Sequence, residues 1–330
     1  MKKKKHLAQQ ISSGVKIDKE GKRYESLLET IPCNLCGFDD NNMEILYRED
    51  SIKRPSTKED FIRLYSSSSS AVFYERLVRC RRCGLIFISP RLKSDLIVQG
   101  YSSSQDKDYI SQEKGRRITF TKSVKIVKSF SKKGKLLDIG AASGIFVKVA
   151  RDAGYDARGV EPAGWMCKMA RDRYSVDIFP GVLKQANFED RAFDIITMWD
   201  VLEHVSDPMA TLIEVNRILK PGGLLFINYP CISDPFAKLF GRKWWFLLSV
   251  HLFYFTPKTL SSYMEKTGFK KIVHRPHFQV LAYDYLVQRL NVYSKFLAKV
   301  AKIPCLIPGF KDILIPYFAS QYLLVSRKKD

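Results

Sequence analysis

From about residue 134 the chain alternates short apolar runs with helical segments, and this alternation limits the fold more than any other feature. Parallel strands need a crossover long enough to hold a helix, so repeated strand–helix units predict a mainly parallel sheet with helices packed on it. The expected strands are residues 135–139, 157–160, 176–179, 193–199, 224–229, 271–274 and 322–326. Helices are expected over 145–153, 164–174, 209–219 and 257–267, the last with Thr256 as N-cap, Pro257 at its first position and Gly268 after its end. A basic, aliphatic insertion, residues 280–315, separates the last two strands. The whole α/β stretch, 134–330, is where the chemistry is expected.

Upstream of it the cysteines organise the sequence. Cys33 and Cys36 form one C-x-x-C pair and Cys80 and Cys83 a second, each followed by a glycine, Gly37 and Gly84. Two thiolates three residues apart on a tight turn can share one metal, and the glycine permits positive φ in that turn. Two such turns complete a tetrahedral four-sulfur shell, which leaves no open position for substrate, so the expectation is structural Zn²⁺ in a zinc-ribbon element over 31–100. The long spacing between the pairs implies an insertion, placed at 47–70. Cys167, Cys231 and Cys305 are scattered and read as reduced core residues, which points to a reducing compartment.

Charge and hydropathy bound the partners. Among 330 residues, 55 Lys and Arg oppose 34 Asp and Glu, a net charge of +21, which suits contact with nucleic acid, anionic lipid or a phosphorylated substrate. Part of it lies in a basic, flexible arm over residues 1–30, which has no apolar stretch of the kind a secretory signal carries. The longest apolar run, residues 244–255, falls short of the ~18 to 20 needed to cross a bilayer, and 303–325 is broken by Pro304, Pro308, Lys311, Asp312 and Pro316. The expectation is a cytoplasmic protein without a transmembrane helix. Its 280–315 insertion carries Arg289, Lys295, Lys299, Lys302 and Lys311 among aliphatics, which suits either peripheral contact with the inner face of an anionic membrane or a cap over the substrate pocket. Residues 101–133 read as a polar surface connection leading into a helix.

Asp138-Ile139-Gly140-Ala141-Ala142-Ser143-Gly144 runs from a strand into a helix, with glycines that let the backbone approach a ligand and a new helix that offers N–H groups to an anion. The spacing is G-x-x-x-G, not the dinucleotide fingerprint. Glu161, 23 positions beyond Asp138 at the end of the second strand, can accept both hydroxyls of a ribose laid over the strand ends. Asp200 ends the fourth strand. His204 follows it, and His251 lies in the aromatic stretch 244–255, which reads either as an apolar lid or as core; Asp234 and Arg242 are candidates for its rim.

These motifs, with Gly159-Val160-Glu161-Pro162, Asp200-Val201-Leu202-Glu203-His204-Val205 and Leu219-Lys220-Pro221-Gly222-Gly223, resemble those of class I S-adenosylmethionine-dependent methyltransferases over about residues 134–330. The four-cysteine element and His251-Leu252-Phe253-Tyr254-Phe255-Thr256 resemble the zinc-ribbon branch common among bacterial sugar and small-molecule methyltransferases. The resemblance implies a Rossmann-like seven-stranded sheet whose last strand is antiparallel. It implies S-adenosyl-L-methionine bound by Asp138, Gly140, Ala141, Gly144, Glu161 and Asp200. One departure stands out: Gly181-Val182-Leu183-Lys184-Gln185 holds no acid where the family places one near adenine, so backbone N–H groups are expected there instead.

Methyl transfer from a sulfonium chiefly requires alignment and exclusion of water. A hydroxyl acceptor also needs a base, and His251 and His204 are the candidates. The expected reaction is methylation of a hydroxyl on a sugar-containing or other small acceptor, a glycan carried on phosphate or lipid included. An RNA methyltransferase is the alternative enzyme, disfavoured by the absence of an Asn/Asp-Pro-Pro-Tyr/Phe signature. A catalytically inactive zinc-ribbon binding protein is the non-enzymatic one.

Overall fold

The computed structural model describes residues 24–39, 42–49, 59, 62, 65, 75–103, 112–291, 294–307 and 309–330. Most of the basic arm and of the 47–70 insertion lies outside the described residues. In chain order the strands are β1 (Leu28–Glu29), β2 (Met43–Tyr47), β3 (Leu77–Cys80), β4 (Ile86–Ile88), β5 (Arg91–Leu92), β6 (Lys135–Ile139), β7 (Asp156–Glu161), β8 (Ile178–Pro180), β9 (Phe193–Trp199), β10 (Leu219–Pro230), β11 (Phe253–Tyr254), β12 (Phe269–Ala282) and β13 (Leu314–Lys328). The helices are α1 (Ser94–Ser103), α2 (Glu113–Phe130), α3 (Ile145–Asp152), α4 (Gly164–Tyr174), α5 (Pro208–Ile218), α6 (Pro235–Phe240), α7 (Pro257–Lys266), α8 (Tyr283–Asn291) and α9 (Lys295–Lys302).

The central sheet has seven strands in the order β12-β13-β10-β9-β6-β7-β8. Strands β6 to β10 run parallel, whereas β13 lies antiparallel between β10 and β12. Alternation along the strands sorts the core into two layers. Leu136, Ile195, Leu224 and Phe226 face α2, α3 and α4, while Leu137, Ile196, Met198, Leu225 and Ile227 face α5, α7 and the cysteine element. The expected α/β sheet with an antiparallel last strand is therefore present, and Thr256 caps α7 by accepting from Thr259 N–H.

The last two strands differ from expectation. They span 14 and 15 residues and pair as far as Ala282 with Leu314, so the segment between them shrinks to 283–313. Pro276 and Pro316 concealed this from the sequence, since proline breaks a strand pattern. Pro276 sits at a register shift and Pro316 lies on the part of β13 that runs past β10, where a missing N–H costs no sheet bond. Because β12 runs parallel to β10, this extension projects beyond the carboxyl edge of the sheet. Helix α2 braces it: Val280 N–H donates to Thr119 Oγ1 at 2.8 Å, and a Cβ on Gly115 would lie 2.4 Å from the Val280 carbonyl oxygen.

The cysteine element is an antiparallel sheet of order β11-β4-β3-β2, so one of its strands comes from residues 253–254, far along the chain. It shares a core with the large sheet through Cys33, Val78, Phe87, Phe253 and Phe255.

Candidate functional site

The carboxyl ends of β6, β7 and β9, the β12–β13 extension and α8 enclose one cavity of about 1180 Å³. Pockets for single drug-sized ligands run roughly 300–1,000 Å³, so this one has room for two molecules together.

At its first end the chain turns from β6 into α3. Gly140 has φ 72° and no room for a side chain, because a Cβ would meet Val201 Cγ2 at 2.4 Å. Four of the turn's N–H groups bond within the protein. Gly140 and Ala141 donate to the Val160 carbonyl at 2.8 and 3.0 Å, Gly144 donates to Ala141, and Ala142 donates to Glu161 Oε2 at 3.0 Å. Asp138, Gly140 and Ala141 line the cavity. Gly144 lies outside the lining: its bare Cα lets α3 approach Ala170 and Val176, where a Cβ would come within 2.8 Å of both.

Glu161 is buried and fixed from two sides, its other oxygen accepting from Ala163 N–H at 2.8 Å. Burial raises its pKa, and the two N–H groups oppose that shift. Those bonds use two of the roughly four lone-pair sites of a carboxylate and leave the others open to further donors. Burial also pushes Asp138 up to about 8, although Thr197 Oγ1 donates to it at 2.6 Å. Burial thus favours the protonated carboxyl near neutral pH, and a cation placed beside it would favour the ionised form. In the loop after β8 the N–H groups of Gly181 and Val182 bond to the Glu161 carbonyl and Gln185 Oε1, so the backbone donors expected for adenine are occupied at those two positions.

The second end is assembled from distant segments. Asp200 takes a left-handed φ of 56° at the end of β9, and three carboxamides hold its carboxylate: Asn228 and Gln321 on Oδ1 and Gln279 on Oδ2. Burial raises its pKa to about 6, against the attraction of Arg116 and the amide donors. Beyond it the Glu203 carbonyl accepts from Leu252 and Phe253 N–H, which brings the β9–α5 loop onto the segment that carries His251. The rings of His204 and His251 meet edge to face, centroids 4.6 Å apart. Glu203, His204 and His251 place one donor atom each within 4.8 Å of one another. His204 Nδ1 lies 3.0 Å from the Val250 carbonyl and 2.6 Å from Tyr101 Oη, and burial lowers its pKa to about 4, so the ring is neutral. His251 Nδ1 lies 2.8 Å from the Phe246 carbonyl. A carbonyl only accepts, so Nδ1 carries the proton and Nε2 is the basic nitrogen.

Sequence reasoning missed Tyr101, Arg116, His277, Gln279 and Gln321, all of which line the cavity. Tyr101 sat in a serine-rich stretch read as surface, where one inward aromatic in α1 gives no periodic signal. His277 stacks on Trp199 at 5.6 Å within the strand extension that the prolines hid. Of the aromatic stretch, Trp245 and Phe246 line the cavity, whereas Phe253, Tyr254 and Phe255 are core. Asp234 is no rim residue: it is buried as the N-cap of α6 and accepts from Phe236 N–H, Ser320 and Tyr322. Arg242 lies over the Tyr47 ring, away from the cavity.

The four cysteines converge from two matching turns. Gly37 N–H donates to the Cys33 carbonyl and Gly84 N–H to that of Cys80, with φ of 72° and 79° at the glycines. The sulfurs all lie within 4.8 Å of one another, with Cys33–Cys83 at 3.4 Å and Cys36–Cys80 at 3.6 Å, and no disulfide joins them. Zinc bonds of about 2.3 Å in a tetrahedron give sulfur–sulfur edges near 3.8 Å, so the set fits that ion. The thiols share protons unequally: the hydrogen bond from Cys33 lowers Cys83 to about 5 and raises Cys33.

Residues 112–274 match a family model described as a methyltransferase domain. A ubiquinone biosynthesis O-methyltransferase of Maricaulis maris is 31% identical over 133 residues, 36% of this chain and 52% of that protein. An uncharacterized methyltransferase of Mycobacterium tuberculosis is 34% identical over 107 residues, 31% of this chain and 41% of that protein. The chain thus spans about half the length of the curated relatives it matches. Among solved structures, a SAM-dependent methyltransferase from Archaeoglobus fulgidus overlaps 68% of this chain and all of its own with a TM-score of 0.48 at 18% identity.

Proposed function

We propose, from the premise that this chain belongs to the class I S-adenosylmethionine-dependent methyltransferases, that it methylates a hydroxyl of a small, sugar-containing acceptor and that its four cysteines hold one structural zinc ion. The observation that carries the reading is one cavity at the carboxyl edge of the sheet whose lining includes both Glu161 and the paired His251 and His204. S-adenosylmethionine supplies an electrophilic methyl group. Glu161 would hold the ribose diol, Asp138 would meet the amino-acid ammonium, and Gly140 and Ala141 would allow close backbone approach. His251 Nε2 takes the acceptor proton, with its ring set by the Phe246 carbonyl and by His204. Asp200 keeps the far wall in place.

Unmet acceptors on that wall support a hydroxyl-bearing substrate. Asn228 Oδ1 and Gln321 Oε1 are buried without a hydrogen-bond donor. Each loses stability unless a donor arrives, which hydroxyl groups would supply. The O-methyltransferase relative is consistent with oxygen as the nucleophile. In this reading residues 31–100 form the zinc element, 101–133 the connection and 134–330 the catalytic unit.

Calorimetric titration with S-adenosylhomocysteine tests the cofactor end, and label transfer from S-adenosylmethionine into fractionated cell extract tests the acceptor end. Saturable binding by the wild type that Glu161→Ala weakens supports the assignment, and an equal affinity for both proteins refutes it. Elemental analysis is expected to find one zinc per chain, absent from Cys36→Ser/Cys80→Ser.

A further inference from the structure

The tip of the β12–β13 hairpin carries a surface that methyl transfer does not use. Helix α9 starts on Ser294, whose hydroxyl accepts from Leu297 N–H, and it turns Ala298 inward. Lys295, Lys299 and Lys302 recur at i, i+4 and i+7, and Phe296, Val300 and Ile303 each follow one of them by a single position. A basic stripe and an apolar stripe therefore run side by side, and all six side chains are exposed. Phe296 is 74% exposed, and the apolar stripe continues into Leu306, 82% exposed, and Ile307. Large apolar side chains gathered on one exposed element mark an interaction surface.

The same hairpin walls the cavity on its other side. Tyr283 Oη of α8 donates to the Ala301 carbonyl of α9 at 2.8 Å, and its ring meets Phe310 edge-on at 5.1 Å. Tyr285, Leu286 and Leu290 of α8 line the cavity. One helix thus faces the ligand and its neighbour faces solvent.

We propose that α9 and the turn after it seat the protein on an anionic membrane, with the apolar stripe in the headgroup boundary and the three lysines on lipid phosphates. The charge argues for lipid: beside these lysines the first and last turns of α9 hold no acid, and the whole chain carries +21. The contact is peripheral, since among the described residues no helix is long and apolar enough to cross a membrane. Resting on the methyl-transfer reading, this deepens it to an acceptor anchored in lipid, because α8 both lines the cavity and bonds to α9, and packed helices lie about 8–10 Å apart.

Flotation of the full chain with vesicles tests the proposal. Binding is expected to vesicles of phosphatidylcholine with phosphatidylglycerol and not to phosphatidylcholine alone, and it should weaken with added salt. Each of Lys295→Ala, Lys299→Ala and Lys302→Ala should lower the partition roughly fivefold, and Phe296→Asp with Ile303→Asp should abolish it. These variants should keep the wild-type melting curve and affinity for S-adenosylhomocysteine, so loss of vesicle binding is separable from misfolding. A wild type that ignores anionic vesicles at low salt, or variants that bind as it does, would overturn the proposal and leave the methyl-transfer reading standing. A wild-type dimer by light scattering that Phe296→Asp dissolves, with no vesicle binding, would instead assign the surface to a second copy. Failure of the wild type to bind S-adenosylhomocysteine strikes the methyl-transfer reading alone.

Discussion

The two ends of the cavity are built by opposite means. At the end proposed for the cofactor, Asp138, Gly140, Ala141 and Glu161 come from two adjacent strands and one turn, within 24 residues of sequence; backbone hydrogen bonds hold the turn and Glu161, and Thr197 Oγ1 holds Asp138. At the end proposed for the acceptor, Tyr101, Asp200, His251, Gln279 and Gln321 come from five separate segments; side chains hold Tyr101 and Asp200, and the Phe246 carbonyl fixes His251. Backbone bonds do not depend on which side chains surround them, whereas a network of interlocked side chains is undone by a single substitution.

If this division is correct, substitutions at the two ends have separable effects. His251→Ala is expected to lower turnover by about 10²- to 10⁴-fold, as loss of a general base does, while S-adenosylhomocysteine affinity by calorimetry stays unchanged. Loss of that affinity would break the contrast. Glu161→Ala should do the reverse and weaken cofactor binding by about 10- to 100-fold, the worth of hydrogen bonds to a charged group, with a folded protein by circular dichroism.

A pH series sharpens the cofactor end. Asp138 has its pKa raised to about 8 by burial, so its contribution to stability is fully present below the unfolded value, near 4, and is lost as pH rises through about 8. An ammonium bound beside it favours the ionised form. Affinity for S-adenosylhomocysteine should therefore tighten between pH 6 and 8, by at most about tenfold per unit, and level off above; Asp138→Asn should flatten the profile. Gly144→Ala should have the smallest effect on ligands. Its Cβ would press on Ala170 and Val176 in a left-handed turn, costing about 1–3 kcal/mol in melting experiments, while cofactor affinity is kept.

The contrast also explains what the sequence disclosed. Period-2 apolar runs and the glycine turn are local, so the parallel core of the sheet and the turn from β6 into α3 were legible from Lys135 to Glu161. The paired cysteines were legible because each knuckle repeats the same four-residue geometry. Local signals fail where contact is made by single residues across long loops. Nothing near Tyr101 says that its hydroxyl reaches His204, and nothing near Phe253 says that it completes a sheet with residues 77–88. The carboxamides around Asp200 escaped notice because Asn and Gln have no sequence signature when they serve as props.

Asn34, between the first two cysteines, binds what they organise to the enzyme. Its side chain donates to Asp207 at 2.8 Å and accepts from Met209 N–H and Tyr263 Oη, and so grips the first turn of α5. Asp207 and Ser206 line the cavity. An oxidised preparation would consequently report a loosened binding wall at a distance from any lost thiolate, and its weak ligand affinity would measure the state of the sulfurs.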